Sequence, residues 1–288
     1  MSDPFALDPR RVRAAFDQAA VGYDAVAVLQ SEVRGRLLER LDEVRLAPAT
    51  VLDAGCGTGH ACAALLRRYR RARVVGLDLA PGMLREARRH RPRFRRLDLV
   101  CADAAAVPLP ARSVGLVFSN LMLQWCNDPD RVFAEFHRVL APGGLVLFTT
   151  FGPDTLKELR GAWGAADGAT HVSRFVDMHD LGDALLRAGF ADPVMDVEHF
   201  TLTYGSARDL MRELKAMGAH NATAGRSRGL TGRGRFAAME AAYGRLRRDG
   251  RLPSTWEVVY GHAWATGRRP AAGGETAVPV DLVGRRVP

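Results

Sequence analysis

The stretch Val51-Leu52-Asp53-Ala54-Gly55-Cys56-Gly57-Thr58-Gly59 constrains this chain more than any other. An apolar run ends in glycine at alternate positions, and a segment of helical periodicity, 60–69, begins directly after it. A strand that turns sharply into a helix needs positive φ and close backbone approach, and glycine supplies both. The helix N-terminus beyond the turn offers free N–H groups suited to a carboxylate. The same alternation continues down the chain. Apolar runs at 74–79, 97–102, 114–119 and 145–150 read as strands, and 81–90 and 129–140 as helices. Such a series implies an α/β fold whose parallel sheet is covered on both faces.

A glycine-rich turn after a strand serves several ligands, so its details matter. The spacing is G-x-G-x-G, not the G-x-G-x-x-G of dinucleotide sites, and no Gly-Lys-Ser/Thr follows as in a phosphate-binding loop. Asp53 precedes the glycines, where it is suited to an ammonium group. Leu77-Asp78-Leu79 puts a carboxylate at the end of the second strand, the usual place for holding ribose hydroxyls in sheets of this kind. Cys101-Ala102-Asp103-Ala104 ends the third strand with another acid, suited to an adenine amino group. Each aspartate alone reads equally well as a cap or turn residue. Three at successive strand ends point to an amino-acid-bearing nucleoside.

This arrangement resembles the class I S-adenosylmethionine-dependent methyltransferases. The resemblance implies a Rossmann-like, seven-stranded, mostly parallel sheet with helices on both faces and the last strand antiparallel. It implies that S-adenosylmethionine is bound by Asp53, Gly55, Gly57, Asp78, Leu79, Asp103, Ala104 and Asn120. Ser119-Asn120-Leu121-Met122-Leu123-Gln124-Trp125 corresponds to the segment that passes the cofactor after strand four, and Leu140-Ala141-Pro142-Gly143-Gly144 to the turn before strand five.

The 288 residues fit one such domain with additions. Residues 1–46 read as N-terminal helices covering the active site, 47–266 as the methyltransferase domain, and 267–288 as a disordered tail. Residues 205–255, between last strands read at 197–204 and 256–266, are too long for an ordinary connection and read as a helical insertion or lid. No run approaches the roughly 20 apolar residues of a membrane span, and the opening Met1-Ser2-Asp3-Pro4-Phe5 has no secretory pattern. Four cysteines without a C-x-x-C pair suggest reduced thiols, so a cytoplasmic location is expected.

The acceptor is sought outside the cofactor motifs. No Asn-Pro-Pro-Tyr follows strand four and no Pro-Cys occurs, which argues against methylation of nucleic-acid bases. The basic excess also lacks the interleaved aromatics of a single-strand groove. Of a net charge of +9, most sits in 205–255, where eleven basic residues face four acidic ones. A solvated helical face would show this pattern, as would a docking surface for an acidic macromolecule or a phosphate group.

Further stretches are similar to the malonyl-acyl-carrier-protein O-methyltransferase family of biotin synthesis. They are Phe16-Asp17-Gln18-Ala19-Ala20 with Tyr23-Asp24, Phe151-Gly152-Pro153-Asp154-Thr155-Leu156, Phe175-Val176-Asp177-Met178-His179-Asp180, Gly229-Leu230-Thr231-Gly232-Arg233 and Tyr260-Gly261-His262-Ala263-Trp264. The resemblance implies transfer of a methyl group to the free carboxylate of a malonyl thioester, carried by an acidic acyl-carrier protein or by coenzyme A, with no nucleic-acid or membrane partner. A carboxylate is already ionised at pH 7, so no residue is expected as general base. Arginine can anchor a carboxylate through two hydrogen bonds; Arg174 is the leading candidate, with Arg208 and His220 behind it. Tyr23 is a candidate to close over the site. His171, His179, His199 and His262 show no metal-ligand spacing, and no metal is expected. Two other readings stay open: a small-molecule O- or C-methyltransferase, which would tolerate neutralised insertion arginines, and a non-catalytic assembly factor, which would bind the cofactor without turnover.

Overall fold

The computed structural model describes residues 5–167, 171–219, 222–223 and 232–267. Three N-terminal helices lead in: α1 (Pro9–Ala19), α2 (Tyr23–Val26) and α3 (Val28–Glu39). The alternating region follows as β1 (Thr50–Ala54), α4 (His60–Arg68), β2 (Arg73–Asp78), α5 (Pro81–His90), β3 (Leu97–Cys101), β4 (Val114–Asn120), α6 (Pro129–Val139) and β5 (Leu140–Phe151). The chain closes with α7 (Lys157–Gly164), α8 (Met178–Arg187), β6 (Phe190–Tyr204), α9 (Ala207–Ala216), α10 (Arg233–Gly244) and β7 (Leu252–Ala265).

The strands form one seven-stranded sheet in the order β3-β2-β1-β4-β5-β7-β6. Strands β1 to β5 run parallel, and β7 lies antiparallel to both β5 and β6, as the class resemblance implies. Two apolar layers sandwich the sheet. One includes Val51, Val74, Leu116 and Leu147 with Leu29, Val33 and Leu37 of α3; the other includes Leu52, Val75, Val117 and Val146 with Phe133 and Phe136 of α6. Central strands buried on both faces read as continuous apolar runs, which is why 74–79 and 145–150 stood out in the sequence.

Local chemistry sets the helix starts. Asp8 caps α1 and Asp128 caps α6 through side-chain acceptors, and both helices begin with proline, whose fixed φ suits the first turn. The chain reverses direction across the sheet between β1 and β4, and crevices at such switch points receive ligands.

The last two strands are longer than their periodicity suggested. β6 begins at Phe190 instead of 197, and β7 at Leu252 instead of 256. The early part of β6 was hidden by a register shift between Ala191 and Val194, where Asp192 takes φ 51° and Pro193 removes a donor. The insertion is therefore 205–251. Its helices α9 and α10 bury Leu210, Met239 and Tyr243, and the Tyr243 hydroxyl donates to the Pro253 carbonyl at 2.8 Å. The Gly/Arg-rich middle, 220–221 and 224–231, and the expected tail from 268 onward lie outside the described residues. Among the described residues no helix is long and apolar enough to cross a membrane.

Candidate active site

The turn after β1 is built on positive φ at Gly55, Gly57 and Gly59 (76°, 53° and 85°). A Cβ on Gly55 would stand 2.3 Å from Met122 Cγ, so only glycine fits there. The turn is tied to β2, since the N–H groups of Gly55 and Cys56 donate to the Leu77 carbonyl at 2.8 and 2.9 Å. Asp78 completes the tie. Its Oδ2 accepts from Gly57 N and its Oδ1 from Ala80 N, both at 2.8 Å. Burial pushes the Asp78 carboxyl up to about 6 despite those two donors. Each of its oxygens keeps a second acceptor direction. At the end of β3, Asp103 Oδ1 accepts from Ala105 N at 2.8 Å.

Gly55, Gly57, Asp78, Leu79, Asp103, Ala104 and Asn120 all line one cavity of about 330 Å³. That volume lies in the range of small-molecule sites. Two carboxylates with spare acceptor capacity and a glycine cradle at a helix start fit a nucleoside carrying an amino-acid tail. Asp53 does not join them. It is 1% exposed and sits behind the turn, where Cys62 Sγ donates to its Oδ2 at 3.0 Å. Burial lifts its carboxyl to about 7 against the hydrogen bond from Cys62. Asn120 lines the cavity with its polar atoms engaged: Nδ2 donates to the Gln30 carbonyl at 3.2 Å and Oδ1 accepts from Thr149 Oγ1 at 3.0 Å.

The N-terminal helices reach the same cavity through Pro9, Val12, Phe16 and Tyr23. They are pinned at three places. Leu7 exchanges hydrogen bonds with the Asn127 side chain at 2.7 and 2.9 Å. Asp17 accepts from Gly82 N at the start of α5. Asp24 accepts from Thr58 Oγ1 at 2.7 Å and meets His60 Nε2 at 3.1 Å and His90 Nε2 at 3.7 Å. Burial, with the Asp78 and Asp24 carboxylates nearby, holds the Tyr23 hydroxyl far above the usual phenol range, so it stays protonated.

The arginine candidates are placed elsewhere. Arg174 lies over the Phe5 ring at 4.1 Å, and Arg208 pairs with Glu240 at 3.0 Å over the Phe236 ring; both are exposed and neither lines the cavity. His220 lies outside the described residues. Among the described lining residues Arg131 is the single cationic side chain, and its Nε donates to the Ala105 carbonyl at 3.1 Å. Gln30, Gln124, Phe151, Met217 and Trp256 also line the cavity, none of them a candidate in the sequence reading. Gln124 and Phe151 fall within motifs noted there; Gln30, Met217 and Trp256 carried no such signal. The histidine survey also missed His60 and His90. Together with Asp24 they bring ligand-type atoms within 4.8 Å of one another, as do Asp154, His199 and Glu257.

A spare carboxylate at the end of each of two neighbouring strands, beside a glycine turn at the switch point of this sheet, is the arrangement expected of class I S-adenosylmethionine-dependent methyltransferases. The fold and the site define the chain as an enzyme of that class, and residues 52–148 match the family model described as a methyltransferase domain. Phosphoethanolamine N-methyltransferase 2 of Haemonchus contortus, solved with S-adenosyl-L-methionine, shares the fold at TM-score 0.54 and 17% identity over 87% of this chain and 57% of that one. Sequence likeness is far closer to malonyl-[acyl-carrier protein] O-methyltransferases. That of Laribacter hongkongensis is 59% identical over 278 residues, 94% of each chain. That of Methylovorus sp. is 56% identical over 276 residues, 94% of this chain and 93% of the relative. The chain belongs to the malonyl-[acyl-carrier protein] O-methyltransferase family.

Proposed function

We propose that the chain transfers the methyl group of S-adenosylmethionine to the free carboxylate of a malonyl unit held as a thioester on an acyl-carrier protein. The observation that carries this reading is the extent of the likeness. At 59% identity over 94% of the chain it takes in the N-terminal helices and the insertion along with the cofactor half.

The chemistry asks little of the side chains beyond placement. The bound co-substrate supplies an electrophilic methyl on a sulfonium. One carboxylate oxygen of the acceptor forms the new C–O bond as the C–S bond breaks, and the electron pair stays on sulfur. A carboxylate is ionised at pH 7, so no general base is required. In our reading Asp78 accepts from the ribose hydroxyls and Asp103 from the adenine amino group. Leu79 and Ala104 flank the base, and Gly55 and Gly57 let the methionine end approach the start of α4. Asp53 supports the turn from behind. Tyr23 and Phe16 close the cavity and exclude water, which strengthens every interaction inside it.

The exposed arginines of the insertion, Arg233, Arg245 and Arg248, suit an acidic carrier protein. Coenzyme A offers the same thioester with a smaller anionic handle. The test is mass analysis of malonyl-carrier protein and malonyl-coenzyme A after incubation with S-adenosylmethionine. Gain of one methyl group on the malonyl unit is expected, faster on the carrier protein. No gain on either thioester overturns the reading.

A further inference from the structure

Among the described residues six buried side-chain nitrogen or oxygen atoms have no hydrogen-bond partner, and two of them belong to residues lining the cavity: Trp256 Nε1 and Gln30 Oε1. Leaving such groups unpaired is costly, so each calls for an explanation. Their neighbours are different. Asn120 is engaged at both polar atoms, and Gln124 donates to the Leu121 carbonyl at 2.7 Å and accepts from Thr150 Oγ1 at 3.2 Å. Trp256 is 3% exposed and its ring packs against Phe151 at 5.1 Å, so its N–H is kept from water. Gln30 is fixed through its backbone carbonyl by Asn120 and through Nε2 at 3.3 Å from Met217 Sδ. Two residues of the cavity wall thus each hold an unpaired polar atom, sealed within the wall as the site stands, with no cation beside them among the described lining residues.

We infer that Trp256 and Gln30 become the polar grips on the acceptor as it enters and parts the wall, the indole N–H donating to an oxygen of the malonyl unit and Gln30 Oε1 accepting from the first amide N–H of the thioester's arm. The chemistry matches each group's capacity. A malonyl unit offers only acceptor oxygens, and tryptophan is a donor only. The amide N–H lies two carbons from the thioester sulfur in both carrier-protein and coenzyme A arms, so this site reads the arm they share. A single neutral donor also leaves the attacking oxygen more nucleophilic than a bidentate arginine clamp would. The site rests on the function proposed above.

The test uses the full chain with two small probes, the malonyl thioesters of N-acetylcysteamine, which keeps the amide, and of propanethiol, which lacks it. Trp256→Phe should lower kcat/KM on both probes roughly 10- to 100-fold, in line with loss of a hydrogen bond to a charged group, with the Kd for S-adenosylmethionine within twofold of wild type. Gln30→Met should erase the wild-type preference for the amide-bearing probe. Malonyl-coenzyme A and malonyl-carrier protein should respond alike to both substitutions. If Trp256→Phe stays within about threefold and Gln30→Met keeps the preference, the inference is overturned. Where Trp256→Phe loses cofactor affinity, the wild-type indole N–H resonance decides, assigned by replacing the other three tryptophans. Its shift on adding the N-acetylcysteamine probe to the S-adenosylhomocysteine complex supports the grip, and no shift refutes it. A wild-type enzyme that methylates neither the probes nor the two natural thioesters refutes the proposed function instead.

Discussion

The backbone N–H of Gly57 donates to Oδ2 of Asp78 across 2.8 Å, so the turn after β1 and the carboxylate ending β2 are one unit. Removing the carboxylate disturbs both the turn and the ligand. Asp78→Ala should weaken S-adenosylmethionine binding roughly 10- to 100-fold, the scale of hydrogen bonds to a charged group, and lower Tm as well. Asp78→Asn, which keeps one acceptor oxygen, should fall between. Isothermal titration and thermal melts of the three proteins check this; equal affinities would exclude Asp78 as a ligand.

Asp53 and Asp78 both titrate above the ordinary carboxylate range because burial disfavours their charged forms, reaching about 7 and about 6. The native state then binds these protons more tightly than the unfolded state does. Their stabilising contribution is fully present below about pH 4, the unfolded carboxylate range, and declines as pH rises through the folded values. The slope is at most about 1.4 kcal/mol per pH unit for each group. Asp53→Asn imitates the neutral form, so its Tm should fall less than wild type between pH 5 and pH 8. A parallel decline in both proteins would contradict the assignment.

Asp24 fastens α2 to Thr58, His60 and His90, although it shares no element with them. Burial opposes its ionisation, and the hydrogen bonds from Thr58 and His60 overcome that, leaving its carboxyl below the ordinary value. Asp24→Ala should free the segment that carries Tyr23. A several-fold rise in KM for S-adenosylmethionine and faster proteolytic cleavage within 20–28 are expected, with kcat little changed. Unaltered cleavage would show that α2 is held by other contacts.

Arg174 and Arg208 engage this chain's own Phe5, Phe236 and Glu240 on the surface. Replacing either with alanine should leave kcat/KM on malonyl-N-acetylcysteamine within a few-fold of wild type. A loss of a hundredfold would restore them as carboxylate anchors.

The sheet and the cofactor half were legible because each step leaves a local mark: continuous apolar runs for β2 and β5, glycine where φ is positive, an aspartate at the ends of β2 and β3. Asp53 shows the limit of such marks. Its place in the motif is plain, but whether its carboxylate faces the ligand or Cys62 depends on side-chain direction. The wall around Gln30 and Trp256 left even less. Gln30 and Trp256 are separated by most of the chain, and neither type announces a ligand. What distinguishes them is an unpaired atom in a packed wall, which exists only once the fold has formed. The expectation of an arginine anchor followed the charge of the substrate, whereas Arg174 and Arg208 lie outside the cavity and, among the described residues, Arg131 is the one cation that lines it.

That choice has a consequence for turnover. Inside the cavity the sole described cationic side chain, Arg131, is anchored on the Ala105 carbonyl. A negative acceptor and a positive co-substrate would hold each other there, and methyl transfer erases both charges at once. A methyl ester and a thioether then remain, and the attraction between the two reacting groups is gone. Product release would be written into the reaction itself, and a methylated malonyl unit returning to the enzyme would find little reason to stay.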